Sequence, residues 1–165
     1  MASEAKAQTE LKDFSNIFRL DGKVAVVTGG SRGLGLHAAS GYIFTYLTIT
    51  TFTSLTMHFS LLQAGCSKVF ITSRKAKACE EAVAALNALP SKSPNAVAIA
   101  IPADASKGSE IERLVAEVKK HTDHVDILLA NAGATWGEKF DTHPEQAFDK
   151  VMALNVKGVF MTIQK

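Results

Sequence analysis

Short apolar runs separated by amphipathic stretches set the rhythm of this chain. The run Lys23-Val24-Ala25-Val26-Val27 is apolar without alternation, the pattern of a strand covered on both faces. Three further short, mostly apolar runs predict strands at 68–72, 96–101 and 125–130. Between them the apolar period becomes that of a helix. Cys79, Ala82, Val83, Leu86 and Leu89 share one helical face, closed by Pro90 and Pro94. Ile111, Leu114, Val115 and Val118 form a second stripe, with Ser106 placed to cap its helix. Thr142 and Glu145 have capping-box spacing, with Pro144 in the first turn. The helix they open carries Phe148, Val151, Met152, Val159 and Phe160 and meets no stop signal before Lys165. Strands alternating with helices predict an α/β fold, a doubly wound parallel sheet with helices on both faces.

One stretch breaks this rhythm. A strand–helix–strand nucleotide unit takes about 30 residues, yet Lys23 to Thr72 spans 50. The excess is 43–61, rich in Thr, Ile and Phe, types that favour strands over the helix they interrupt. Removing those 19 residues joins Gly41-Tyr42 to Leu62-Gln63-Ala64-Gly65, which reads as one helix ending at a glycine cap. Three readings stay open. The run is translated non-coding sequence kept in frame, or a membrane segment, or a genuine surface loop or partner-binding segment. For the membrane stands the absence of Asp, Glu, Lys and Arg from Leu34 to Ser67; against it stand six threonines and His58. A loop of this length is uncommon, and this one is apolar for water.

At 165 residues the chain is one domain by length, read as a loose arm over 1–17 and a domain over 18–165. A net charge of +2, with Lys and Arg scattered, speaks against nucleic acid. Cys66 and Cys79 need no disulfide and fit a reducing, cytoplasmic setting. The charged N-terminus lacks the apolar core of a signal peptide. His37, His121, His124 and His143 show no metal-ligand spacing, so no metal is expected.

The candidate chemistry lies in Thr28-Gly29-Gly30-Ser31-Arg32-Gly33-Leu34-Gly35, between the first strand and Leu36-His37-Ala38-Ala39, a plausible first helical turn. Glycine turns sharply and lets a ligand approach the backbone. Free N–H groups at a helix start then suit a pyrophosphate. The Gly-x-x-x-Gly-x-Gly spacing resembles the short-chain dehydrogenase/reductase family. Two further blocks are similar to its signatures: Asp126-Ile127-Leu128-Leu129-Ala130-Asn131-Ala132-Gly133 and Ala153-Leu154-Asn155-Val156-Lys157-Gly158-Val159-Phe160. Within the family, the sequence resembles fungal reductases of the 3-oxoacyl-(acyl-carrier-protein) reductase type.

The resemblance implies a Rossmann-like sheet of order 3-2-1-4 without the later strands. It also implies reversible hydride transfer between a nicotinamide cofactor and a carbonyl or secondary alcohol, and a homo-oligomer for the full-length family. In this strand–turn–helix context Gly29, Gly33 and Gly35 are expected at the phosphate, with Gly30 incidental to the turn, and the matching positions add Ser31 and Leu34 to the cofactor-binding residues. Arg32 falls beside the adenosine ribose and Asp104 near the adenine ring. Asn131, with Ala132 and Gly133, lines the cofactor cleft. Where an NAD-preferring member carries an acid, Ser73-Arg74-Lys75 stands. A guanidinium there suits a 2′-phosphate, so NADP is the expected cofactor. Trp136 flanks the substrate mouth or simply packs.

The family's catalytic serine and Tyr-x-x-x-Lys pair find no match. The only tyrosines are Tyr42 and Tyr46, neither followed by lysine four residues on. Asn155 alone matches the catalytic group, where in the family it holds a water linked to the lysine. The chain thus reads as cut short within the helix bearing Asn155, inactive as written. A non-catalytic nucleotide-binding remnant and a mis-spliced product remain as alternatives.

Overall fold

Four parallel strands form the sheet: β1 (Val24–Thr28), β2 (Lys68–Thr72), β3 (Val97–Ala100) and β4 (Ile127–Ala130), in the order 3-2-1-4. The structure, a computed structural model, describes residues 19–40, 61–90 and 92–165. Three helices alternate with the strands: α1 (Gly33–Ser40), α2 (Ala76–Asn87) and α3 (Gly108–Val118). After β4 come α4 (Glu145–Met152), a π-helical segment (Ala153–Gly158) and α5 (Val159–Gln164). In register, Val26 stands between Phe70 of β2 and Leu128 of β4.

Both faces of the sheet are covered, which is why β1 is apolar without alternation. Ala25, Val27, Val69 and Ile71 pack on one face against Ala39, Leu62, Cys66, Ala82 and Leu86. Val24, Val26 and Phe70 pack on the other against Leu114 and Val118. The doubly wound α/β class read from the sequence is thus what the chain adopts.

The long first crossover is resolved by hydrogen bonds on either side of the excess residues. The Leu61 N–H donates to the Ala38 carbonyl at 3.1 Å and Leu62 to Ala39 at 3.5 Å. In an α-helix those donors belong to the residue four places on, at 42 and 43. Leu61 therefore stands where residue 42 would, a surplus of 61 less 42, or 19 residues. The Cys66 N–H then reaches back to the Leu61 carbonyl at 2.9 Å, with Gly65 at φ +113 between them. That six-to-one closure with positive φ at glycine resembles a Schellman end. The tail packs tightly: a Cβ on Gly65 would collide with Asp21. Of the segment 43–61 only Leu61 lies within the described residues, and the arm at 1–17 lies wholly outside them.

Two expected caps are corrected. Ser106 does not cap α3: its N–H and hydroxyl both go to Asp104 Oδ1, at 3.1 and 2.7 Å, and the helix begins at Gly108. Thr142 does not form a capping box with Glu145. His143 precedes a proline, which disfavours helical geometry, and it is extended at φ −65, ψ 118. The helix accordingly starts only at Glu145, and the Thr142 hydroxyl donates instead to Glu138 at 3.3 Å.

At the N-terminal edge of the sheet Asp126 clamps β1. It accepts the Val24 N–H and the Lys23 ammonium, both at 2.8 Å. Among the described residues no helix is long and apolar enough to cross a membrane.

Candidate functional site

A cleft of about 580 Å³ opens where the chain leaves the C-terminal ends of β1, β2 and β4. The strand order reverses between β1 and β4, and in open α/β sheets ligands bind at such a switch point. Three short loops, each positioned by its strand, build the walls.

The first wall is the glycine turn. Gly29 and Gly33 adopt φ +67 and +55, the left-handed region that favours glycine. The turn is also crowded. A Cβ on Gly35 would lie 2.5 Å from both the Asn131 amide nitrogen and the Gly29 carbonyl. Gly29, Ser31 and Arg32 line the cleft. Gly33, Leu34 and Gly35 do not; Leu34 points to solvent, and Gly35 serves by letting α1 approach β4. Gly30 has a structural duty of its own. Its N–H donates to the Thr72 carbonyl at 3.2 Å, and a Cβ would press on Ile71.

The second wall is Asn131-Ala132-Gly133. The Asn131 amide donates to the carbonyls of Thr28 and Gly29, at 3.2 and 3.3 Å. The Ala132 N–H donates to the Thr28 hydroxyl at 3.0 Å. These bonds weld the end of β4 to the glycine turn, so the two walls keep a fixed spacing.

The third wall is Ser73-Arg74-Lys75, on the loop from β2 to α2. With Arg32 it puts three cationic side chains on one cleft, and no carboxylate is among the lining residues. Asp104 stands just behind. Burial alone would push its carboxyl up, but the Ser106 hydroxyl and N–H, with the fields of Arg74 and Lys107, hold it below its ordinary value. It is therefore an anion committed to Ser106.

Asn155 lies outside the cleft. Its amide donates to the Ala134 carbonyl at 2.8 Å and its oxygen accepts the Ala134 N–H at 2.9 Å. Asn155 lies in the π-helical segment Ala153–Gly158, which places its amide on the loop after β4. The adjacent Leu154 does reach the cleft. Trp136 is half exposed beyond the second wall, and Lys150 lies 6.0 Å from its ring centre.

Sequence reasoning named Thr28 and Lys75 only as parts of their motifs and missed Thr72, Ala103, Ala105 and Leu154 as lining residues. Thr72 flanks a named residue and could have been found from the strand end. Ala105 and Leu154 carry no local signal. Tertiary packing brings them there, with Gly158 of the π-helical segment pressed on the Ala105 carbonyl. Among the described residues no cluster could hold a metal ion.

A parallel 3-2-1-4 sheet with a glycine turn at its switch point defines an α/β protein of Rossmann-like design. A family model described as short chain dehydrogenase matches residues 54–165, and the chain belongs to that family. Its sequence is 36% identical over 148 residues to a rhamnolipids biosynthesis 3-oxoacyl-[acyl-carrier-protein] reductase of Pseudomonas aeruginosa, covering 90% of this chain and 48% of that protein. It is 33% identical to the tetrahydroxynaphthalene reductase PfmaG of Pestalotiopsis fici, covering 87% and 43%. Among solved structures, the Pseudomonas aeruginosa RhlG/NADP active-site complex superposes with a TM-score of 0.71 at 37% identity, covering 89% of this chain and 47% of the other. The chain spans about half the length of the curated relatives it matches.

Proposed function

We propose that these residues form the NADP(H)-holding part of an oxidoreductase that moves hydride between NADP(H) and a small carbonyl compound or secondary alcohol. The single observation that carries the cofactor choice is the cleft's charge. Arg32, Arg74 and Lys75 line it together with the hydroxyl residues Ser31 and Ser73, with no carboxylate to repel a 2′-phosphate. A guanidinium meets a phosphate through paired, charge-assisted hydrogen bonds. The glycine turn fits the group as well, since a Cβ at Gly29 would lie 2.9 Å from the Asn131 amide and narrow the phosphate cradle. The relative solved as an NADP complex supports the same choice.

In this reading the cofactor supplies the hydride. The glycine turn binds the pyrophosphate, Arg74 and Arg32 hold the 2′-phosphate, and Asn131 fixes the wall beside the ribose. Asp104, tied to Ser106, borders the adenine side. Asn155 acts as a positioning residue by fixing the loop at Ala134. The buried free thiols of Cys66 and Cys79 suit a cytoplasmic setting. Because neither Tyr42 nor Tyr46 is followed by lysine four residues on, the 165 residues bind cofactor without turning over substrate.

The test is titration of the purified chain with NADPH and NADH, alongside Arg74→Asp. Losing a charged hydrogen bond costs about 1.5–3 kcal/mol, so NADPH should weaken roughly ten- to hundredfold more than NADH. Equal losses would mean that Arg74 does not read the phosphate. NADPH oxidation with ketones and 3-oxoacyl thioesters should show no steady turnover.

A further inference from the structure

We propose that Cys79 is a positioning residue for the cationic wall, backing the Ser73 hydroxyl so that its proton is free for a phosphate oxygen. The proposal rests on the cofactor reading above. Cys79 is fully buried in the first turn of α2. Its sulfur lies 3.2 Å from Ser73 Oγ and 3.7 Å from the Ser73 carbonyl oxygen. The thiol proton thus has two acceptors in reach, both on one residue. Sulfur is a weak acceptor, so the hydroxyl gains little by donating to it and much by donating to an anion. Of the two senses open to the Oγ–Sγ contact, the one in which the thiol donates to Ser73 Oγ leaves the hydroxyl proton for the cleft.

Two further facts bear on this wall. The Ser73 carbonyl also accepts the Ala103 N–H at 3.1 Å, so the loop before Arg74 is tied from the β3 side as well as from α2. Thr72, one residue earlier and 2% exposed, lines the same cleft, and its hydroxyl has no hydrogen-bond partner. Buried polar atoms are seldom left unpaired. The strand end that carries Ser73 is thus buried up to the residue before it, and Ser73 is the hydroxyl residue that follows it into the cleft.

The experiment compares NADPH and NADH affinities of the wild-type chain, Cys79→Ala, Cys79→Ser and Ser73→Ala, with the melting temperature of each. A neutral hydrogen bond corresponds to roughly two- to tenfold in affinity. Cys79→Ala should lower the NADPH-over-NADH preference by that factor, and Cys79→Ser, which restores a donor, should recover most of it. Ser73→Ala should lose the same preference even if Cys79→Ala proves too unstable to assay. A Cys79→Ala variant that melts lower yet keeps the wild-type preference would make the thiol a packing group and overturn the proposal. So would a Ser73→Ala variant with undiminished preference. A wild-type chain without NADPH preference would overturn the cofactor reading and this one together.

Discussion

From β2 to β3 the chain crosses through α2, one unbroken helix of 12 residues. From β1 to β2 the ladder begun in α1 is finished by Leu61 and Leu62, after a surplus of 19 residues. Yet both crossovers bury equivalent side chains on the same face: Ala39, Leu62 and Cys66 in the first, Ala82 and Leu86 in the second. Both also begin with a short turn that lines the same cleft at one end of the sheet. The difference teaches that a helix's place in the core is set by its hydrogen-bond register and its buried face, and that covalent continuity along the ladder is dispensable. The glycine turn sits at the far end of α1 from Leu61 and Leu62, so the cleft it lines lies away from the join.

The sharpest way to break the comparison is to truncate one core leucine in each crossover. Leu62 and Leu86 are 0% and 1% exposed, and a buried leucine cut to alanine costs about 2–5 kcal/mol. Leu62→Ala and Leu86→Ala should therefore lower urea-unfolding stability by similar amounts. A near-neutral Leu62→Ala beside a costly Leu86→Ala would show that the tail at 61–65 is no part of the core.

A somewhat smaller effect comes from excising the surplus. Removing 42–60 leaves Leu61 and Leu62 in register and spares the entropy of tethering the two parts of the ladder through 19 extra residues, worth on the order of 2–3 kcal/mol. The melting temperature should rise by roughly 5–10 °C. Removing one residue more or fewer rotates the tail by about 100° and should forfeit the gain. If all three deletions behave alike, the ladder bonds at Ala38 and Ala39 do not set the register.

The smallest effect probes the opposite end of the sheet, where Asp126 holds the start of β1. The Lys23 ammonium, then the Val24 N–H, hold the Asp126 carboxyl below its ordinary value. A depressed carboxyl adds stability above its unfolded value, near 3.9, and loses it as pH falls through the lower folded value. The stability gap between wild type and Asp126→Asn should be present at neutral pH and close in strong acid. His124 has the opposite sign. Asp123, then Asp126, raise it, so its contribution is full below the unfolded value, near 6.5, and fades as pH rises through the folded one. An Asp126→Asn gap that persists unchanged in strong acid would deny the carboxylate this role.

The strands and the glycine turn were legible because each rests on local pattern: an apolar run, a change of period, a residue type that permits positive φ; the strand order came from the family resemblance alone. The three walls of the cleft were legible for the same reason, since each follows a strand end. The failures share a different cause. Ser106 and Thr142 are good capping residues by type, but Asp104 and Pro144 compete for the local geometry, and only the folded chain decides such contests. The Asp126 clamp joins residues about a hundred positions apart. Leu154 reaches the cleft because Gly158 lets the π-helical segment settle on Ala105. Neither contact leaves a trace in any short window of sequence.

The position of β1 carries one more consequence. It is an inner strand, bonded to β2 on one side and β4 on the other, yet it belongs to the part of the chain that precedes the surplus. A peptide bond hydrolysed anywhere within 42–60 would divide the protein into a short guest, bearing the central strand and the glycine turn, and a larger host holding the rest of the sheet. Backbone pairing along both edges, the Asp126 clamp, the Asn131 bonds to the glycine turn, the bonds from Leu61 and Leu62 and the buried side chains of β1 would then keep the guest seated without a covalent link. For such a nicked pair, dilution becomes a denaturant: its melting temperature would track protein concentration, as that of the intact chain does not.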